Sequence, residues 1–237
     1  MKPLPEYVAE LERYFKSKTI ECFEYSQFNI DKCIGSGGYA VVYLATFQEK
    51  VFALKCLRST LSLSEKEIRS FKRELECLYK VNHQNIVKFH GIARDKSTNN
   101  FMLVLQYADN GNLREFLQQK YEGNVYKISW VELIQIAMDI THGLEHLHDY
   151  DIIHRDLHSK NILINNKSAL ITVFGISKSL NSTTESSTTV KGLMVYIEPR
   201  CLEGLLQSDK KIKYNKKSNI YSLGQCCHWN SGIPLED

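Results

Sequence analysis

An aspartate and an asparagine stand five residues apart in the segment Ile152–Leu163, directly after the longest helical pattern of the chain. The segment carries a histidine, an arginine, an aspartate and a leucine at His154–Leu157, followed by Asn161. On one loop, this spacing lets a carboxylate orient a hydroxyl group while an amide oxygen binds a metal ion. Five positions of a known motif are matched, which makes this the most constraining segment of the sequence.

Short β-branched and aromatic runs, broken by glycines and turn residues, dominate the sequence up to residue 107. The predicted strands are Phe28–Ile34, Tyr39–Ala45, Val51–Leu57, Ile86–Ile92 and Phe101–Tyr107. Residues 64–80 switch to helical spacing and predict one helix after the third strand. The pattern therefore predicts a five-stranded antiparallel sheet with one helix.

Helical patterns dominate after residue 108. Apolar residues at helical spacing over Ser129–His148 predict a long buried helix, with these residues on its inward side: Trp130, Leu133, Ile134, Ala137, Thr141, Leu144 and Leu147. A shorter amphipathic pattern over residues 3–24 predicts a helix in an N-terminal extension, and the polar run 181–189 predicts a mobile loop. The predicted class is α+β, with an extension at 1–27, a first lobe at 28–108 and a second lobe at 109–237.

Three signals in the first lobe suggest nucleotide chemistry. The glycine turn at residues 35–38 lets backbone N–H groups approach phosphate oxygens, although a plain hairpin turn explains it equally well. Lys55, in an apolar strand, needs an anion nearby, and Glu74 on the margin of the helix face can supply it. For such a pair taken alone, a solvated lysine and a solvated glutamate are the alternative.

In this order along the chain, the glycine turn, Lys55, Glu74 and the loop from His154 to Asn161 resemble a eukaryotic protein kinase domain. The resemblance runs from about Phe28 to Pro234. Three phrases are similar to the tyrosine-kinase-like branch: Asn85-Ile86-Val87, Gly111-Asn112-Leu113 and Tyr221-Ser222-Leu223-Gly224. The resemblance implies a two-lobed protein-kinase-like fold, ATP and Mg²⁺ as cofactors, and a protein substrate or signalling partner.

The resemblance also assigns roles to residues. Lys55 would hold the α- and β-phosphates and pair with Glu74, Asp156 would accept the proton of the substrate hydroxyl, and Asn161 would bind the metal. The adenine nucleotide would lie among Ile34, Gly35, Gly37, Val42, Ala53, Lys55, Gln106, Ala108 and Leu163. Leu105 would be the gatekeeper. A stack would connect the helix to the catalytic loop, formed by Leu78, Phe89, His154 and Phe174.

The sequence departs from the family where its metal-binding Asp-Phe-Gly motif is expected. The residues there are Thr172-Val173-Phe174-Gly175, so a valine replaces the aspartate. A valine offers no oxygen to a hard cation, so magnesium binding is expected to be weakened, with Asn161 and water as the remaining ligands. An ordinary apolar strand that ends in a Phe-Gly turn would explain the same four residues.

Other departures are consistent with weak catalysis. His158 replaces a lysine, Arg200 replaces an anchoring glutamate, and Asn219 replaces a helix aspartate, although its amide oxygen can still accept hydrogen bonds. The second lobe is expected to be incomplete at its C-terminus. The expected function is a kinase-like domain that binds ATP and whose transfer to Ser, Thr or Tyr is weak or absent. The alternatives are a pseudokinase that serves as a binding or scaffold module in signalling, and a degraded kinase fragment.

Composition narrows the possible partners and location. The net charge is only +3, from 30 basic and 27 acidic residues, which argues against nucleic acid as a partner. No apolar stretch is long enough for a membrane span, and the start lacks a signal-peptide pattern, so no membrane partner is expected. Seven cysteines without a C-x-x-C pair fit a reducing compartment, so the expected location is cytoplasmic, with a nuclear one as the alternative.

Overall fold

The structure is a computed structural model, and it describes residues 4–36, 40–57, 65–98, 100–123, 125–173, 178–179, 194–201 and 214–227. The predicted loop at 181–189 lies outside these residues. The chain divides into two compact units, the first from Met1–Lys72 and Lys88–Tyr107 and the second from Arg73–Val87 and Ala108–Asp237. No helix among the described residues is both long enough and apolar enough to cross a membrane.

The helices are α1 (Leu4–Ser17), α2 (Glu65–Lys80), α3 (Leu113–Gln119), α4 (Trp130–Asp149) and α5 (Lys216–Cys226). The strands of the first unit are β1 (Cys22–Glu24), β2 (Asn29–Ser36), β3 (Ala40–Phe47), β4 (Lys50–Leu57), β5 (Phe89–Asp95) and β6 (Asn100–Gln106). The strands of the second unit are β7 (Tyr121–Glu122), β8 (Val125–Tyr126), β9 (Ile152–Ile153), β10 (Ile162–Asn165), β11 (Ser168–Ile171) and β12 (Lys178–Ser179). The predicted α+β class is confirmed.

The sheet of the first unit has six strands in the order β1-β5-β6-β4-β3-β2, not the five that were predicted. The five predicted strands pair antiparallel, whereas β1 adds at the edge and runs parallel to β5. The helical pattern predicted over residues 3–24 is wrong at its end, because α1 ends at Ser17 and Cys22–Glu24 form a strand. Three residues are too few to show an alternating pattern. A second correction concerns β5, which begins at Phe89 because Ile86 instead forms a bridge with Ile171 in the second unit.

Gly91 allows β1 to dock on the sheet. Its φ is +151°, and a Cβ atom at this position would lie 2.3 Å from the backbone oxygen of Glu21. That oxygen accepts the N–H of Ile92 at 2.9 Å. The residue must therefore lack a side chain, both for its backbone conformation and for the close approach of the N-terminal segment.

One face of the six-stranded sheet carries an apolar core. Alternating side chains of a strand point to opposite faces, so every second residue of β4 and β6 enters this core. Its buried members are Phe28, Ala45, Phe52, Leu54, Ala93, Met102 and Val104. Lys55 and Ala53 alternate with them, and they therefore project from the opposite face.

The second unit is built around α4, which is capped by Ser129, whose hydroxyl accepts the N–H of Glu132 at 3.1 Å. The predicted helix is confirmed, and Leu133, Leu144 and Leu147 are buried as predicted, but the rest of its inward face differs from the prediction. Trp130 and Ile134 are 62% and 56% exposed, and these residues lie inward: Leu133, Ile136, Ile140, Gly143, Leu144 and Leu147. The helix is apolar on both sides, so periodicity alone could not choose the buried one.

Candidate functional site

His154 fixes the loop that follows β9. The residue is 1% exposed, its Nε2 contacts the backbone oxygen of Thr172, and its Nδ1 accepts the N–H of Asp156 at 3.3 Å. Burial lowers the pKa of His154, although the hydrogen bond to Thr172 acts in the opposite direction. A neutral ring with its proton on Nε2 satisfies both contacts, so the histidine connects the loop to the end of β11.

Asp156 and Asn161 meet on this loop. The Asn161 side-chain amide donates to the backbone oxygen of Asp156 at 2.8 Å and to its carboxylate Oδ2 at 3.0 Å. The other carboxylate oxygen, Oδ1, is buried and makes no hydrogen bond with any residue that the structure describes. The side chain of Asp156 is 19% exposed. The structure thus brings together the two residues that the sequence placed five positions apart.

His158 lies against the same carboxylate. Its Nε2 is 3.5 Å from Asp156 Oδ1 and 3.0 Å from the Asn161 amide nitrogen, while its Nδ1 accepts the N–H of Lys160 at 3.2 Å. His158, where the resemblance leads us to expect a lysine, therefore belongs to the polar group around Asp156.

Asn219 supports the loop from α5. Arg155 has a left-handed backbone conformation, with φ of +69°, and its N–H donates to Asn219 Oδ1 at 3.2 Å. Asn219 is 1% exposed, and its amide nitrogen contacts His148 Nε2 at 3.0 Å. As expected from the sequence, the amide oxygen accepts the hydrogen bond without a charge.

Val173 follows Thr172 and is fully buried, at 0% exposure. Thr172 donates its backbone N–H and its hydroxyl to the backbone oxygen of Asn161, at 3.0 and 2.9 Å. The residue directly before Val173 is therefore hydrogen-bonded to Asn161, the predicted metal ligand. Within the described part of the chain, no group of three or more His, Cys, Asp or Glu side chains could hold a metal ion.

Arg200 and Glu198 lie at the end of the segment that precedes α5. Glu198 Oε2 accepts the hydroxyl of Ser218 at 2.8 Å, which ties this segment to the first turn of α5. Arg200 is 81% exposed in its side chain, and its Nε is 3.7 Å from Glu198 Oε1. Glu198 therefore connects this segment to α5, two residues before Arg200, where the resemblance leads us to expect an anchoring glutamate.

In the first unit, Lys55 lies at the centre of the sheet. It is 8% exposed and lies on β4, between the two neighbouring strands β3 and β6. Its partner residues on those strands are Val42 and Leu103. Ala53, two residues earlier on the same face, is buried. Gly35 pairs with Val42 near the end of β2, and Ile34 is 39% exposed.

The remaining first-unit candidates lie on β6. Leu105 is buried, and Gln106 ends the strand with its N–H donating to the backbone oxygen of Lys88 at 2.9 Å. Three candidates lie in the second unit. Glu74 on α2 is 6% exposed, Ala108 is buried, and Leu163 on β10 is half-buried. Gly37 and Phe174 lie outside the described residues. The pairing of Lys55 with Glu74 stays a prediction.

Sequence reasoning missed several residues that hold the loop. Asp139 on α4 accepts the N–H of Ala169 at 2.9 Å and thereby fixes β11, while Tyr196 contacts the hydroxyl of Ser159 at 3.2 Å. Thr172, which also lies outside the predicted site, donates two hydrogen bonds to the backbone oxygen of Asn161. None of these contacts follows from a local pattern, because each joins residues at least eleven positions apart in the chain.

Comparison with known proteins gives one family. The model of the family described as protein kinase domain matches residues 28–229. A probable receptor-like serine/threonine-protein kinase of Arabidopsis thaliana is 38% identical over 204 residues, which cover 83% of this chain and 44% of that protein.

Two other relatives are similar. "Wall-associated receptor kinase-like 6" of Arabidopsis thaliana is 33% identical over 221 residues, covering 91% of this chain and 32% of the relative. A probable serine/threonine-protein kinase of Dictyostelium discoideum is 31% identical over 196 residues, covering 81% of this chain and 10% of the relative. The chain thus spans less than half the length of each of these relatives.

Proposed function

We propose that this chain, which belongs to the protein kinase domain family, binds ATP and transfers phosphate to protein hydroxyl groups weakly or not at all. Serine and threonine are the proposed acceptors, because the similar proteins from Arabidopsis thaliana and Dictyostelium discoideum are described as probable serine/threonine-protein kinases. Placement in the tyrosine-kinase-like branch is part of the same proposal, as is a cytoplasmic location.

The observation that carries the proposal is the buried Val173 beside an intact pair of Asp156 and Asn161. Magnesium takes oxygen ligands in near-octahedral geometry and is usually bound by carboxylates together with substrate phosphates. The residues here do not fit that requirement, because Val173 has no oxygen and Asn161 supplies one neutral amide. We therefore assign nucleotide binding to contacts that need little help from a metal.

The chain's own residues support such binding. The ammonium of Lys55, buried in the sheet at 8% exposure, would pair with phosphate oxygens, and Val42 and Ala53 would contact the adenine ring. Asp156, held by Asn161, would accept the proton of an incoming hydroxyl. Without a metal to neutralise the charge that develops on the phosphates, the transfer step loses a large part of its stabilisation.

Titration of ATP into the purified chain tests the binding part. Lys55→Met should weaken ATP binding by about tenfold or more, because it removes the cation for the phosphates. Lys50→Met is the matched control, since Lys50 is exposed on the same strand. Equal affinities of ATP for the wild type and Lys55→Met would contradict the proposal.

A second candidate is a pseudokinase, a binding module without phosphotransfer, and the full burial of Val173 favours it. Radiolabelled transfer from ATP to a generic protein substrate separates the two candidates. If the wild type transfers no more phosphate than Asp156→Asn, the chain is a binding module. If it transfers more, the chain is a weak kinase.

A further inference from the structure

We propose that α1 positions α2 through Lys72, and that Glu10 and Tyr14 of α1 thereby help to set the affinity for the nucleotide. The proposal rests on the ATP binding proposed above, because α2 also carries Glu74, the predicted partner of Lys55. The residues concerned act through the position of a helix and do not contact the nucleotide themselves.

The apolar face of α1 is seated firmly on the first unit. Leu11 and Phe15 are each 1% exposed, and Val8 is also buried. The ring of Phe15 meets the ring of Phe101 on β6 edge to face, with centroids 5.3 Å apart. These contacts make α1 a part of the first unit and not a loose extension.

A second set of contacts ties α1 and the segment after it to the sheet. Glu12 forms an ion pair with Arg94 on β5, whose guanidinium lies 5.8 Å from the centroid of the Phe101 ring. A few residues later, β1 pairs with β5 along Cys22–Glu24. The helix is thus fixed to the sheet both by its own side chains and by the strand that follows it.

Besides the sheet, α1 also contacts α2. The ammonium of Lys72 forms an ion pair with Glu10 and lies 5.9 Å from the centroid of the Tyr14 ring. The side chains of Lys72 and Glu10 are 23% and 35% exposed. Partial burial and a combined ion-pair and cation–π contact make this interaction stronger than a typical surface pair.

Lys72 and Glu74 point to different sides of the same helix. Successive residues of an α-helix are rotated by about 100° around its axis, so Lys72 and Glu74, which are two positions apart, are separated by about 200°. Around the helix, the buried residues Phe71, Leu75 and Leu78 lie between these two positions. A contact that holds Lys72 on one side therefore fixes the rotation of the helix that determines where the Glu74 side chain points.

Charge reversal at Glu10 tests this inference, with Glu12 as the matched control. Glu10→Lys should weaken ATP binding about threefold to tenfold, through loss of the ion pair and repulsion of Lys72, and should speed amide hydrogen exchange in α2. Glu12→Lys removes the helix–sheet ion pair on the same helix. It should lower the melting temperature and leave both the ATP affinity and exchange in α2 within about twofold of wild type.

The charge swap Glu10→Lys with Lys72→Glu should restore ATP affinity and slow exchange in α2. Rescue by the swap would show that the pairing of positions 10 and 72 is required and not either charge alone, while Glu12→Lys, which loses another ion pair of the same helix, controls for destabilisation. Equal losses of ATP affinity in Glu10→Lys and Glu12→Lys, or unchanged exchange in α2 for Glu10→Lys, would overturn the inference. If the wild type fails to bind ATP, the proposed function fails, while exchange in α2 still decides whether α1 positions this helix.

Discussion

The side-chain amide of Asn161 bridges the backbone oxygen and the carboxylate of Asp156, with donor–acceptor distances of 2.8 and 3.0 Å. These two bonds close the loop on itself and orient the carboxylate by contacts within the chain. The same asparagine receives two hydrogen bonds from Thr172 on its backbone oxygen. Asn161 therefore has a structural role in the loop in addition to its proposed role as a metal ligand.

Asn161→Asp tests that structural role. The substitution keeps the shape of the side chain but replaces the donor with a carboxylate that faces Asp156, so the protein should lose about 1–3 kcal/mol of unfolding free energy. Chemical denaturation measures this loss. Asn165→Asp is the control, because it makes the same substitution at a half-buried asparagine at the end of β10. Equal stability of the two variants would contradict the role.

Gly91→Ala tests the docking of the N-terminal segment on β5. The new methyl group would meet the Glu21 backbone oxygen at 2.3 Å, so β1 should detach and α1 should become sensitive to proteolysis. The control is Gly123→Ala. Gly123 also has a positive φ, of +60°, but none of the described residues beyond its chain neighbours has an atom within 4 Å of the added Cβ, so this change should cost only about 1–2 kcal/mol of local strain. Protection of residues 4–24 from proteolysis in Gly91→Ala would refute the docking role.

The sequence predicted the features that are local. Alternation and helical spacing identified the five main strands and α4, and the motif identified Asp156 and Asn161 as neighbours on one loop. The position of β1 depends instead on a single residue, Gly91, which lies at least 67 residues further along the chain, and a strand of three residues carries no pattern. The inward face of α4 was predicted only in part, because both of its faces are apolar and packing against β11 and Asn85 selects the buried one.

Acid should destabilise the fold through buried histidines. Burial lowers the pKa of His154, and burial followed by the charge of Lys216 lowers the pKa of His148. Each ring therefore resists protonation when folded but takes up a proton readily when unfolded, so the associated stability is complete above pH 6.5, the ordinary histidine value, and is lost as the pH falls below it.

Thermal melting over a pH series measures this effect. The melting temperature should fall as the pH drops below 6.5. In His148→Gln, which retains an acceptor for the Asn219 amide but does not titrate, the fall should be shallower. A melting temperature that is constant through this range, or an equally steep fall in the variant, would contradict the assignment.

Val173→Asp tests whether the missing carboxylate explains the proposed independence from magnesium. An aspartate would supply an oxygen ligand beside Asn161, so ATP binding should become stronger in the presence of Mg²⁺. Val173→Asn is the matched control, since it has a similar size and polarity but no charge. Both changes bury a polar group and should lower the melting temperature, so affinities are to be compared at a temperature where each variant is folded.

Calorimetric titration of ATP into the wild-type chain, once with Mg²⁺ and once with EDTA, tests the central claim most directly. The account predicts that the two affinities agree within about threefold, because the contacts of Lys55 and the adenine site do not depend on a metal. In Val173→Asp the affinity should rise with Mg²⁺ and not with EDTA. A wild-type chain that binds ATP only when Mg²⁺ is present would contradict the account.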